Sequence, residues 1–336
     1  MVMRDFIKEF PNHITHALQI SESLSVHQNY FIEQTFSNIV ISGQGGSAIG
    51  GVIVKDLVQD ELHIPIIVNK DYSIPSFINK NTLFIASSYS GNTEETISAL
   101  NKVIELNKTG ENIIIFCICS GGQILEIAKK HELKYILIPE GGAPRAMLCY
   151  SVVQMLTLIS MISGHTDSLK DKLTSVKDYL INNQESIIGL AHSCAEKISN
   201  KMPFLYTFSN FEGVVLRFKQ QLNENSKRHA TYNLIPEMNH NEIVAWNKKS
   251  VCVASVFING NNSERNKKRM MINIEQIKAS VDNIVELTCS DSNSFIQYFY
   301  FIHLVDWISL ILAEKEGVDP NNIDSINYLK QELKKV

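Results

Sequence analysis

Short β-branched runs alternating with helical patterns predict an α/β protein with parallel sheets covered by helices on both faces. The alternation occurs in two separate stretches, and a chain of 336 residues is long enough for two domains. Turns rich in glycine and hydroxyl residues follow two of the strand-like runs, at the strand ends where such sheets bind ligands.

Taken in order, residues 1 to about 36 read as a helical lead-in. Strand-like runs follow at Asn38–Ser42, Pro65–Asn69, Thr82–Ser87, Asn112–Cys119 and Tyr135–Ile138, which places a first domain over 1–155. A helical bridge is expected over 156–195, polar at Gly164 to Asp171. A second α/β domain is expected over 196–336, with runs at Phe204–Phe208, Val251–Phe257 and Asn283–Leu287. The apolar segment Tyr298 to Ala313 contains His303, Asp306 and Ser309. It is too short for a comfortable membrane span and reads as a buried helix.

Lys and Arg total 31 against 35 Asp and Glu, a mildly acidic balance that argues against nucleic acid as a partner. The N-terminus carries Arg4, Asp5, Lys8 and Glu9 with no long apolar core behind them, so no signal peptide is visible. Cys117, Cys119, Cys149, Cys194, Cys252 and Cys289 are scattered and read as buried thiols in a reducing cytoplasm. Cys117 and Cys119 would face the same side of a strand, a packing arrangement and not a zinc knuckle.

The stretch Ser87-Ser88-Tyr89-Ser90-Gly91-Asn92-Thr93-Glu94-Glu95-Thr96 sits between a strand-like run and a helical pattern. A helix N-terminus offers backbone N–H groups and the positive end of its dipole, and Ser88, Ser90 and Thr93 add hydroxyls at the same point. A phosphate suits such a turn. The same residues also suit a Ser/Thr-rich N-cap that needs no ligand. A second turn, Ser42-Gly43-Gln44-Gly45-Gly46-Ser47, tips the balance, because Gly45 and Gly46 let backbone approach a ligand and Ser47 supplies a hydroxyl. Its spacing superficially matches a dinucleotide fingerprint, but no acidic residue follows a second strand in the expected way.

Three further positions are weaker candidates on residue type alone. Arg145, in Pro139-Glu140-Gly141-Gly142-Ala143-Pro144-Arg145, is either an ordinary surface arginine or a permanent cation facing a pocket. His240 lies between Asn239 and Asn241, which can fix an imidazole by hydrogen bonds, although a loop histidine is more often incidental. Glu224, in a polar helical stretch, is not singled out by its residue type or surroundings.

The Gly-Gly-Ser and Ser-Tyr-Ser-Gly-Asn-Thr turns resemble those of the sugar isomerase (SIS) domain superfamily, which binds phosphosugars in a flavodoxin-like αβα fold. Ala143-Pro144-Arg145, then Leu222-Asn223-Glu224-Asn225-Ser226-Lys227, then Pro236-Glu237-Met238-Asn239-His240-Asn241-Glu242-Ile243 followed by Trp246, resemble the bifunctional phosphoglucose/phosphomannose isomerases. The closing segment from Gly317-Val318-Asp319-Pro320 to Lys330 is similar as well, so the resemblance covers nearly the whole chain.

The resemblance implies two SIS domains and an enzyme that interconverts glucose 6-phosphate, and mannose 6-phosphate as well, with fructose 6-phosphate through a cis-enediol. Glu224 matches the family's base, His240 its ring-opening residue, Lys330 a lysine that assists at the ring oxygen, and Arg145 the cation that stabilises the enediolate. Gly45, Gly46, Ser47, Ser88, Ser90 and Thr93 match the phosphosugar-binding turns. No metal or organic cofactor is implied. The expected assembly is a homodimer in which His240 reaches the partner subunit's substrate, with no membrane partner. Family members that handle mannose can carry a threonine shortly before the C-terminal lysine. Here Pro320 to Ile326 has none, so the resemblance supports the glucose activity more directly than the mannose activity. Two alternatives on this fold are a non-catalytic phosphosugar-binding regulator and an isomerase of another sugar phosphate. A regulator would have no need of Glu224, His240 and Lys330 together.

Overall fold

The computed structural model describes residues 2–164 and 166–335. They form two units, one from Lys8–Asn182 with Asn210–Gly213, the other from Val2–Ile7, Asn183–Ser209 and the chain from Val214 onward. Helices α1 (Met3–Lys8), α2 (Phe10–Ser21) and α3 (Gln28–Ile32) precede the first strand in sequence.

The sheet of the first unit contains β1 (Asn38–Ser42), β2 (Ile66–Asn69), β3 (Thr82–Ser88), β4 (Ile114–Cys119) and β5 (Lys134–Leu137), in the order β2-β1-β3-β4-β5. Every pairing is parallel, with Ile39 opposite both Ile66 and Leu83. This is the flavodoxin-like order, which switches direction at β1 and β3. The central strands β1, β3 and β4 are buried along their whole length, as their unbroken apolar runs require, while the edge strands β2 and β5 are partly exposed.

Helices α4 (Gly46–Val58), α5 (Glu94–Lys108) and α6 (Gly122–Lys130) are crossovers, and α7 (Leu148–Ser163) and α8 (Thr166–Asn182) follow. In α5 the buried residues Thr96, Ala99, Leu100, Val103 and Ile104 fall on one stripe at helical spacing. Ala99, Leu100, Val103 and Ile104 meet Phe84, Ala86, Ile115, Cys117 and Cys119 of the sheet in one apolar core, each large side chain there contributing roughly 1.5–3 kcal/mol. Cys117 and Cys119 do share a face, and burial pushes the Cys117 thiol up to about 12. On the opposite side of the unit α7 packs between α2 and α4 and is buried from Leu148 to Met161.

The sheet of the second unit contains β6 (Met202–Phe208), β7 (Thr231–Ile235), β8 (Val253–Asn259) and β9 (Ile284–Thr288), all parallel, in the order β7-β6-β8-β9. That order repeats the first four strands of the other unit. Strand β7 was not expected. It is a half-buried edge strand whose Thr-Tyr-Asn-Leu-Ile run lacks the continuous apolar pattern of its neighbours.

The helices of this unit include α9 (Gln184–Ile198), α10 (Glu212–Glu224), α11 (Glu264–Lys278), α12 (Ser294–Lys315) and α13 (Asp324–Leu333). The stretch expected as a bridge is divided between the units. Helix α8 sets Leu169, Leu173, Val176 and Leu180 into the first unit beside α2, while α9 packs along α12 in the second.

Helix α12 is longer than the expected Tyr298–Ala313 segment. At 22 residues it is long enough to cross a membrane by length and composition, as is the Pro144–Ser163 stretch, but 94% and 89% of their apolar windows are buried inside the protein. Both are core helices. Arg265, Lys267, Lys268 and Arg269 lie on the solvated part of α11, whose Met270, Ile274 and Ile277 face the core.

Four cysteines are buried as expected, but Cys252 is exposed and Cys289 partly so. Cys252 precedes β8 and Cys289 follows β9, outside the apolar strand interiors.

Candidate functional site

In the first unit the turns after β1, β3 and β4 interlock, and glycine makes that possible. A Cβ on Gly43 would lie 2.8 Å from the Ser87 carbonyl, and one on Gly91 would lie 1.8 Å from the Gly121 carbonyl. Gly91 and Gly45 also hold φ of +66° and +49°, a region that strains other residues. Gly46 opens α4 and faces the next loop closely: a Cβ there would be 3.3 Å from the Pro144 carbonyl and 3.8 Å from the Arg145 Cα. The glycines thus bring the Gly45-Gly46-Ser47 turn against the turn that carries Arg145.

The hydroxyls point across these turns. Ser47 Oγ accepts from the Tyr89 N–H at 3.3 Å, joining the β1 turn to the β3 turn. Ser88 Oγ and Thr93 Oγ1 share a hydrogen bond at 2.7 Å, and Ser90 Oγ accepts from the Asn92 N–H at 3.2 Å. Thr93 stands at the N-cap of α5 with extended backbone, yet its side chain makes no capping bond. The plain N-cap reading therefore does not describe Thr93, whose hydroxyl is turned toward Ser88. Ser47 and Ser88 are buried, Thr93 is half-buried and Ser90 is exposed. Such a gradient suits a ligand that is held from within and enters from solvent.

Arg145 sits in a short 310 turn, Pro144–Met147, and is only 6% exposed. It is not a surface arginine. A cation so deeply placed is retained where an anion or a dipole compensates its lost hydration.

Tyr89 is a residue that sequence reasoning passed over. Its phenol oxygen accepts from the Gly142 N–H at 3.0 Å, and its carbonyl accepts from Ser120 N at 2.9 Å and Ser120 Oγ at 2.6 Å. Burial raises its pKa, so it stays neutral. Tyr89 ties the serine turn to the β4 turn and to the loop before Arg145, and its place between Ser88 and Ser90 was the available signal.

In the second unit the three expected catalytic residues lie on three separate elements. Glu224 is the last residue of α10 and is half-buried. The polar stretch around it is not simply a solvated helix face. Arg217, Gln221, Asn225 and Ser226 are all buried, paired with Asp306 and Ser309 of α12.

His240 ends a 310 turn, Glu237–His240, and is exposed. Its flanking asparagines were expected to fix the imidazole; they bond instead to neighbouring side chains and to one backbone N–H. Asn239 Nδ2 donates to Asn273 Oδ1 at 2.5 Å, while Asn241 bonds the Glu237 carboxylate at 2.8 Å and the Glu242 N–H at 2.6 Å. Lys330 lies on α13, a helix with no buried residue, and its side chain is exposed.

The family described as the bacterial phospho-glucose isomerase C-terminal SIS domain matches residues 188–333, a stretch that contains Glu224, His240 and Lys330. The bifunctional phosphoglucose/phosphomannose isomerase of Caldicellulosiruptor bescii is 33% identical over 99% of this chain and 99% of its own. The protein of the same name from Aquifex aeolicus is 32% identical over 89% of this chain and 91% of its own. Among solved structures, the tagatose-6-phosphate ketose/aldose isomerase of Escherichia coli superposes with a TM-score of 0.76 at 14% identity, over 95% of this chain and 94% of that one. This last likeness is one of fold alone. With its strand order and its glycine and hydroxyl turns in place, and with relatives alike along its whole length, the chain belongs to the bifunctional phosphoglucose/phosphomannose isomerase family.

Proposed function

We propose that the protein is an aldose–ketose isomerase that interconverts glucose 6-phosphate, and mannose 6-phosphate as well, with fructose 6-phosphate. The observation that carries this reading is the buried Arg145 set against the Gly46 turn, in a unit where the Thr93 hydroxyl does not cap its own helix. Ser47, Ser88, Ser90 and Thr93, with backbone at Gly45 and Gly46, hold the phosphate and so fix the reacting carbons. Arg145 stabilises the enediolate oxygen by charge.

The reaction needs an open-chain sugar, a proton taken from the carbon next to the carbonyl, and its return to the neighbouring carbon. Glu224 is the base that takes and returns the proton, since a carboxylate can do both. His240 moves the ring-opening proton near neutral pH, and Lys330 assists at the ring oxygen. These steps call for no metal or organic cofactor.

The working assembly is a homodimer in which His240 serves the partner's substrate. Two features support this. His240 is exposed, and α13 leaves Ile326, Tyr328, Leu329 and Leu333 uncovered within the single chain. Six free thiols support a reducing, cytoplasmic setting.

The test is a coupled assay that follows fructose 6-phosphate turning into glucose 6-phosphate and, separately, mannose 6-phosphate, with Glu224→Gln alongside. Turnover by the wild type that disappears in the variant is expected. Wild-type protein that binds the sugar phosphate without turnover would overturn the enzyme and leave a phosphosugar-binding regulator.

A further inference from the structure

Helix α10 ends in polar residues that are buried, an arrangement with an unfavourable side that asks for a reason. Arg217 Nη2 donates to Asp306 Oδ2 at 2.6 Å, and both side chains are almost wholly enclosed. Gln221 Nε2 donates to the other oxygen, Asp306 Oδ1, at 2.8 Å. One turn further, Asn225 Nδ2 donates to Ser309 Oγ at 2.9 Å, and Ser226 Oγ donates to the Ser309 carbonyl at 2.9 Å. Ser309 Oγ in turn donates to the Asp306 carbonyl at 2.8 Å. Apolar side chains of similar volume would seal two helices at least as well, because taking charges out of water costs more than most buried pairs regain.

What the polar seam supplies is location. Glu224 stands between Gln221 and Asn225, both held by α12. The chain beyond it is closed by Asn223 Nδ2 to the Arg228 carbonyl at 2.6 Å and by Arg228 N–H to the Leu222 carbonyl at 3.0 Å. The turn passes through Lys227 at a φ of +55°, and the Lys227 ammonium donates to the Glu224 carbonyl. The backbone of Glu224 is therefore fixed on both sides, and the residue is half-buried.

We infer that Ser309 and Asp306, acting through Asn225, Ser226, Arg217 and Gln221, are positioning residues that hold Glu224 where it can take a proton from one carbon and return it to the next. This rests on the reading of Glu224 as the base. A base that shuttles a proton between adjacent carbons returns the original proton only if it does not exchange with bulk water during the life of the enediol. A base on a loosened helix end exchanges that proton with solvent more often.

The test is isomerisation in deuterium oxide, with the deuterium in the product measured by mass spectrometry, for wild type, Ser309→Ala, Ser226→Ala, Ser226→Thr and Glu224→Gln. In Ser309→Ala, kcat should fall roughly tenfold or more with KM nearly unchanged, since small misplacements of a reacting group are costly. The deuterium incorporated per turnover should rise severalfold, and Ser226→Thr, which keeps the hydroxyl, should stay nearer to wild type than Ser226→Ala.

A purely structural role would lower the active fraction and leave deuterium per turnover unchanged. That result, or an unaltered kcat, overturns the proposal. Should Ser309→Ala not fold, Ser226→Ala carries the same expectation with α12 intact. Glu224→Gln at the wild-type rate would overturn the base and this proposal together. An inactive Glu224→Gln beside a fully normal Ser309→Ala would overturn this proposal alone.

Discussion

The Tyr206 hydroxyl donates to Glu242 Oε1 at 2.5 Å, two residues beyond His240. Asn233 of the edge strand β7 donates to Glu242 Oε2 at 2.8 Å, and Trp246 Nε1 donates to the Tyr206 oxygen at 3.1 Å. Burial, reinforced by the hydrogen bond to Glu242, raises the Tyr206 pKa, so the phenol remains a donor. Tyr206→Phe removes the donor to Glu242 and the acceptor for Trp246 at once. The expected loss is about 1–3 kcal/mol of stability in urea unfolding. A lower kcat/KM should accompany it, because the loop bearing His240 loses a fixed point. An unchanged unfolding midpoint would show that the pair anchors nothing.

Two glycines with left-handed backbone should respond very differently to alanine. At Gly110, φ +97°, a Cβ meets nothing within 4 Å, so Gly110→Ala costs about 1–2 kcal/mol of backbone strain. At Gly91, φ +66°, the same Cβ runs into the Gly121 carbonyl, and the β3 and β4 turns must separate. Thermal unfolding and the KM for fructose 6-phosphate should both be far worse in Gly91→Ala. Equal effects would mean that the turns do not depend on this contact.

His303, wholly buried in α12, accepts from Trp307 Nε1 at 3.2 Å, and burial drives its pKa from 6.5 down to about 3. Unfolding below pH 6.5 therefore takes up a proton that the folded protein does not bind. Above the unfolded value the group has no pH effect. As pH falls from about 6.5 toward 3, stability drops by about 1.4 kcal/mol per pH unit from this residue. Urea unfolding at pH 7.5 and pH 5 should show a smaller difference in His303→Gln than in wild type, and parallel slopes would refute the assignment.

Native protein treated with a thiol reagent should react first at Cys252, which is exposed, and more slowly at the partly exposed Cys289. The buried Cys117 and Cys194, whose pKa values are raised to about 12 by burial, should react only after unfolding. Cys252→Ser should abolish the fast phase. Its survival would place the reactive thiol elsewhere.

Much of the fold was legible because central strands of parallel sheets are apolar along their length. Asn38–Ser42 matches β1 at both ends, and the other seven expected runs each overlap an observed strand. Strand β7 escaped because Asn233 interrupts its apolar pattern, and that asparagine is there to hold Glu242. The glycine and serine turns were legible because their conformational demands are local.

The setting of Glu224 was not legible. Its neighbours are polar because they pair with residues 83 to 89 positions away, and no local pattern announces such a partner. Tyr89 was missed for a related reason, since its role lies in three bonds to Ser120 and Gly142 and not in its residue type.

The polar seam between α10 and α12 also acts as a ruler. Helices sealed only by leucines can slip past each other by one turn, about 5.4 Å, and still bury much of the same area. Here a slip of one turn would carry Arg217 away from Asp306 and Asn225 away from Ser309 at the same time, stranding a charge inside the protein. Only one alignment keeps these pairs together, so the distance along α12 sets where α10 stops.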